Sequence, residues 1–112
     1  MQQYTLDPKA LLGGIIVEDN DQQIVQLALQ KDNEIPPYQT DAIVLLIVLG
    51  GRAQITTEKE SLETHGLQVV RLAPDETHSI RALENQTTIL VIKQLTHELT
   101  LSKKLRFGQC CL

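Results

Sequence analysis

Two neighbouring cysteines and three histidines are the side chains of this sequence best suited to metal binding or nucleophilic chemistry. Cys110 and Cys111 are adjacent, so they cannot staple a fold to itself. Such a pair can hold a soft metal, cross-link two chains or stay reduced in a tail. His65 falls in a His-Gly turn and His97 near the end of the chain, and both read as surface positions. His78 opens an alternating segment (HSIRAL) directly after a turn-rich stretch (APDET). The sequence contains no Gly-x-Ser-x-Gly, no phosphate loop, no His-Glu-x-x-His and no cysteine close to a histidine. Ser61, Ser79 and Ser102 lack supporting neighbours, and the carboxylates are spread over turns rather than paired.

Composition narrows the classes further. The net charge of −4 and only three aromatic residues (Tyr4, Tyr38, Phe107) argue against nucleic-acid binding, which needs a positive field and stacking platforms. The basic cluster Lys103, Lys104 and Arg106 is expected to be a solvated tail, the alternative being a phosphate-binding patch. No apolar run approaches the ~20 residues that a bilayer demands. The N-terminal MQQYTLDPKALLGG has no secretory pattern, so a cytoplasmic location is expected. The 112 residues amount to one domain, with a core over about 14–95 and a partly disordered extension over 96–112.

The elements that must position His78 follow a period of two. Strands are predicted at Gly14–Glu18, Gln23–Gln30, Ala42–Leu49, Arg52–Thr57, Glu60–Thr64, Gln68–Leu72, His78–Leu83 and Thr87–Gln94. Ile24 breaks the alternation of the second. Lys31–Pro37 is dense in turn residues, and Gly50-Gly51 joins two strands as a hairpin. Thr96–Arg106 is read as a last strand or a short helix. No helix is expected between residues 14 and 95. Many short strands at regular spacing make an all-β sandwich or barrel.

Ala42–Leu49 (AIVLLIVL) is apolar on both faces. Val44, Leu46 and Val48 line one side, and Ile43, Leu45, Ile47 and Leu49 the other. A small barrel buries only its inner face, so the second set needs its own cover. A homodimer with Ile43, Leu45, Ile47 and Leu49 in its interface supplies one. The N- or C-terminal segment folded over the same face supplies another.

With the strands placed, Glu34–Gly51 (EIPPYQTDAIVLLIVLGG) and Leu72–Leu83 (LAPDETHSIRAL) resemble the two motifs of a small single-domain cupin of the RmlC-like type. The likeness runs from about Gln23 to Gln94. The first motif places its two histidines on Tyr38 and Thr40, its glutamate on Val44 and its closing glycine on Gly51, with Asp32 at the opening glycine. The second places its Pro-x-Gly on Ala73-Pro74-Asp75, its histidine on His78 and its asparagine on Ala82. Its opening glycine falls one residue after Gly66. One metal-ligand position of four is therefore kept.

The resemblance implies an all-β, double-stranded β-helix (jelly-roll) barrel, commonly a dimer. It implies a pocket at Tyr38, Thr40 and His78, in which His78 orients a small ligand, acts as a base, or is a pocket residue satisfied by Tyr38 or a backbone group. No cofactor is expected. Were iron, manganese, nickel or zinc to bind, the ligands would be His78 with Tyr38, Asp41 or Glu76, with Glu34 near the same predicted mouth. Three readings follow. The first is a homodimeric small-molecule-binding barrel with weak or no metal binding. The second is a metal-dependent dioxygenase, isomerase or lyase acting on a small polar substrate through His78 and nearby carboxylates. The third is an interaction protein whose barrel is filled by Val44, Leu46, Ile80, Leu90 and Ile92.

Overall fold

The computed structural model describes residues 1–9 and 13–95. His97, the basic cluster, Cys110 and Cys111, and the predicted last element lie outside the described residues. Nine strands appear in chain order: β1 Gly14–Glu18, β2 Gln22–Leu29, β3 Glu34–Tyr38, β4 Ile43–Gly50, β5 Arg52–Thr57, β6 Ser61–His65, β7 Gln68–Leu72, β8 His78–Ala82 and β9 Thr87–Gln94. No helix occurs among the described residues. The strands form two antiparallel sheets, β1-β2-β9-β4-β7 and β3-β8-β5-β6. Apart from β1-β2 and β5-β6, strands adjacent in one sheet are not consecutive in sequence, the crossing pattern of a jelly roll.

The predicted bounds of β1, β5, β7 and β9 hold as read. The turn-rich stretch before Tyr38 is a correction: Glu34–Tyr38 is a strand despite Pro36 and Pro37. Proline has no N–H for a ladder, and β3 is an edge strand whose pairing with β8 shifts between Ile35 and Tyr38. The edge position makes the two prolines tolerable and leaves Tyr38 paired with His78.

The core lies between the sheets. Leu29, Val44, Leu46, Val48, Ile55, Ile80 and Ile89 are each at most 2% exposed. β9 has the opposite phase to the one expected. Thr87, Ile89 and Val91 are buried, whereas Leu90 and Ile92 lie on the outer face, opposite Ile47 and Leu45. A one-residue change of phase exchanges every side chain between the faces, so Leu90 and Ile92 do not fill the barrel. The same phase sends Lys93 inward, opposite the buried Val44.

The N-terminal segment lies over part of that outer face. The Gln26 side chain accepts the Asp7 N–H at 2.7 Å and donates to the Asp7 carbonyl. Tyr4 and Leu6 border a space of about 290 Å³ with Ile24 and Leu90. Ile24 broke the alternation of its strand because it belongs to this outer surface, paired with Ile92. Ile43, Leu45 and Ile47 are half-buried, while Leu49 and Val69 remain 41% and 60% exposed.

The turns keep the glycine geometry of the two motifs without the glycines. Gly51 has φ +79°, and Asp32, Asp75 and Leu67 stand at the other three glycine positions with φ +71°, +65° and +71°. Aspartate enters this left-handed region with modest strain, whereas leucine does so at a cost of roughly 1–2 kcal/mol. Backbone shape has thus outlasted residue identity at three of the four positions.

Candidate functional site

β8 and β9 bring the candidate residues to one end of the barrel. In the four-stranded sheet Tyr38, His78 and Thr57 lie side by side. In the five-stranded sheet Gln23, Lys93 and Val44 do the same. The Tyr38 and His78 rings are 4.4 Å apart between centroids and tilted by 57°. Lys93 reaches across from the other sheet and sets its Nζ 5.2 Å from the Tyr38 ring centroid, a cation–π contact spanning the mouth. Lys93 is not among the expected site residues, because the phase expected for β9 leaves it facing outward.

His78 is 1% exposed. Its Nδ1 lies 3.2 Å from the Glu76 carbonyl oxygen. A carbonyl only accepts, so in the neutral ring Nδ1 carries the proton and Nε2 presents a lone pair. Nε2 is buried and has no hydrogen-bond partner among the described residues. Such a group costs about 1–3 kcal/mol when left unsatisfied. Tyr38 is half-buried, and desolvation raises its phenol above the ordinary value of 10.0, so it stays protonated and able to donate.

The other candidates do not join this cluster. The Thr40 hydroxyl accepts the Ala42 N–H at 3.2 Å, and its carbonyl accepts the Asp75 N–H at 2.7 Å. Thr40 thereby ties the loop after β3 to the loop before β8. Glu76 accepts the Ala73 N–H at 3.1 Å through Oε1, within its own loop. Glu34 pairs with Arg81, at the opposite end of β3 from Tyr38. Asp41 is exposed on the rim. His65 is exposed in its turn, with Nδ1 3.0 Å from the Gly66 carbonyl oxygen.

The barrel centre is packed with side chains. Beside His78 a cleft of about 170 Å³ is bordered by Pro37, Thr56, Thr57, Glu58, Thr77 and Ser79; Tyr38 and Lys93 are not among its lining residues. A second, of about 330 Å³, lies on the rim between Glu58-Lys59 and Ala73–Glu76.

No family profile and no curated protein matches this sequence. Solved structures do. An RmlC-like cupin protein with a double-stranded β-helix fold from Methanocaldococcus jannaschii superposes with TM-score 0.74 at 18% identity, over 82% of this chain and 86% of that one. A cupin superfamily protein from Desulfitobacterium hafniense gives 0.73 at 15% identity, over 83% and 84%. This chain has the cupin fold. A conserved protein of unknown function from Streptococcus pyogenes is similar too, with TM-score 0.72 at 20% identity, over 83% and 81%.

Cupins can bind metals, but the residues at this mouth do not fit a divalent ion. Val44 offers no donor, the Thr40 hydroxyl is engaged in its loop, and one imidazole stands beside an ammonium. Among the described residues, no group of three or more His, Cys, Asp and Glu is placed to hold a metal. No helix of the described residues is long and apolar enough to cross a membrane.

Proposed function

We propose that this cupin-fold chain binds a small polar molecule at the barrel mouth, beside Tyr38 and His78, with little or no dependence on a divalent metal. The observation that carries the reading is the His78 Nε2 lone pair, buried and without a hydrogen-bond partner among the described residues. Buried polar atoms in folded proteins nearly always find one, and an exception next to a cleft points to an incoming group. The chain acts as a homodimer through the outer face of the five-stranded sheet. Support comes from Leu49 and Val69, which stay exposed among the described residues on the same face as Leu45 and Ile47. A cytoplasmic location completes the proposal.

The test is elemental analysis of the tag-free full chain beside His78→Ala, after incubation with iron, manganese, nickel and zinc. The expected result is no stoichiometric metal in either protein. Stoichiometric metal in the parent, lost in the variant, would replace this reading with the metal-dependent enzyme. For the dimer, Ile47→Asp is expected to move the sizing-column peak to the monomer position, and an unchanged elution volume contradicts that interface.

A further inference from the structure

We infer that the mouth takes a small carboxylate bearing a hydroxyl group, held by Lys93, Tyr38 and His78. The inference rests on the small-molecule reading above and names its ligand class. Lys93 is half-buried and inward-facing, and it makes no ion pair among the described residues. Its charge faces the Tyr38 ring, and its register partner on β4 is Val44, which stands where the cupin motif has a carboxylate. The nearby Glu76 carboxylate is turned to the Ala73 N–H, and Glu18 receives the Gln23 amide at 2.7 Å. An ammonium at a partly desolvated mouth attracts an anion and opposes a metal cation.

The remaining atoms define the rest of the ligand. The Tyr38 hydroxyl has no hydrogen-bond partner among the described residues and can donate to a carboxylate oxygen. His78 needs the opposite. With its Nδ1 proton given to the Glu76 carbonyl, Nε2 can only accept, so the ligand must bring a donor. A hydroxyl next to a carboxylate supplies both halves. Lys93 and Tyr38 come from different sheets, so such a ligand joins the two sheets at the mouth.

Matched probes separate these parts. Glycolate, lactate and gluconate differ from ethylene glycol, propane-1,2-diol and glucitol only in carrying a carboxylate in place of an alcohol. Acetate lacks the hydroxyl. Binding is read on the full chain from the ring resonances of His78 and Tyr38, in the parent, Lys93→Gln and Lys93→Arg. At least one acid is expected to bind about tenfold or more tighter than its alcohol, a preference of the size charge-assisted hydrogen bonds give. Lys93→Gln should abolish that preference and Lys93→Arg retain it. Alcohols binding as tightly as acids, with Lys93→Gln indifferent, would overturn the carboxylate and leave the small-molecule reading standing. Acetate binding as tightly as glycolate would overturn the hydroxyl. No response of either ring to any probe would overturn both this inference and the reading on which it rests.

Discussion

The two ends of the barrel are built from the same strands and treat their polar atoms differently. β9 runs from Thr87 to Gln94, with Lys93 next to its end, while β8 runs from His78 to Ala82, so each strand contributes to both ends. At the Thr87 end no described buried side-chain nitrogen or oxygen is left without a hydrogen-bond partner. The Thr87 hydroxyl lies 2.7 Å from the Glu84 carbonyl oxygen and 3.4 Å from the Arg52 nitrogen, whose N–H it accepts. Asp32 N–H donates to the Ala82 carbonyl, and Ala82 N–H to the Asn33 carbonyl, both at 2.9 Å. Gly51 packs so closely on Thr87 that a Cβ there would lie 2.4 Å from its hydroxyl oxygen. At the other end, among the described residues, His78 Nε2 is buried without a hydrogen-bond partner and the inward-facing Lys93 makes no ion pair. The difference teaches that one end is arranged for stability, while the other keeps groups that stability alone does not explain.

The comparison can be broken at the closed end first. Thr87→Val keeps the side-chain shape and strands the Glu84 carbonyl and the Arg52 N–H. It is expected to lower the unfolding free energy in urea by about 2 kcal/mol, as for other buried groups left unpaired. A loss below a few tenths of a kcal/mol would show that the hydroxyl is dispensable there. Leu67→Gly acts in the opposite direction at the β6–β7 turn, whose Leu67 N–H donates to the Val48 carbonyl at 2.7 Å. Relief of the left-handed leucine outweighs the added freedom of the unfolded chain, and a gain of about 1 kcal/mol is expected from the same measurement.

At the mouth the expected signature is pH dependence. Burial raises the Tyr38 phenol, so the folded state holds that proton more tightly than the unfolded state. This contribution is fully present below the ordinary value of 10.0 and is lost as pH rises past it towards the folded value. Urea unfolding at a series of alkaline pH values should show stability falling in that range. Tyr38→Phe should flatten the fall while leaving neutral-pH stability nearly unchanged. An identical alkaline slope in both proteins would remove Tyr38 from the buried mouth.

Much of this fold was legible because sheets carry a simple code. The alternation of QVVRL and TTILVIKQ sufficed to place β7 and β9, but the hairpin expected at Gly50-Gly51 is corrected: β4 pairs with β7 and β9, β5 pairs with β6 and β8, and the turn carries the chain from one sheet to the other. Two further misreadings have physical causes. Pro36 and Pro37 read as a turn because an edge strand is invisible until the sheet order is known. β9 was assigned the wrong phase because its outward Leu90 and Ile92 are as apolar as its inward Ile89 and Val91. That error hid Lys93. Tyr38 and His78 could be proposed as neighbours from the motif resemblance. The free Nε2 was beyond reach, since it depends on a loop carbonyl at Glu76 capturing Nδ1.

The most direct test of the account is the unfolding free energy of His78→Leu at neutral pH, measured beside the parent. The variant exchanges a buried, partly unsatisfied ring for an apolar side chain of similar size. If His78 is held for a ligand rather than for the fold, stability stays within about 1 kcal/mol of the parent or rises. A loss of about 3 kcal/mol or more, the size expected for a core residue, would contradict it and make the mouth part of the packed interior.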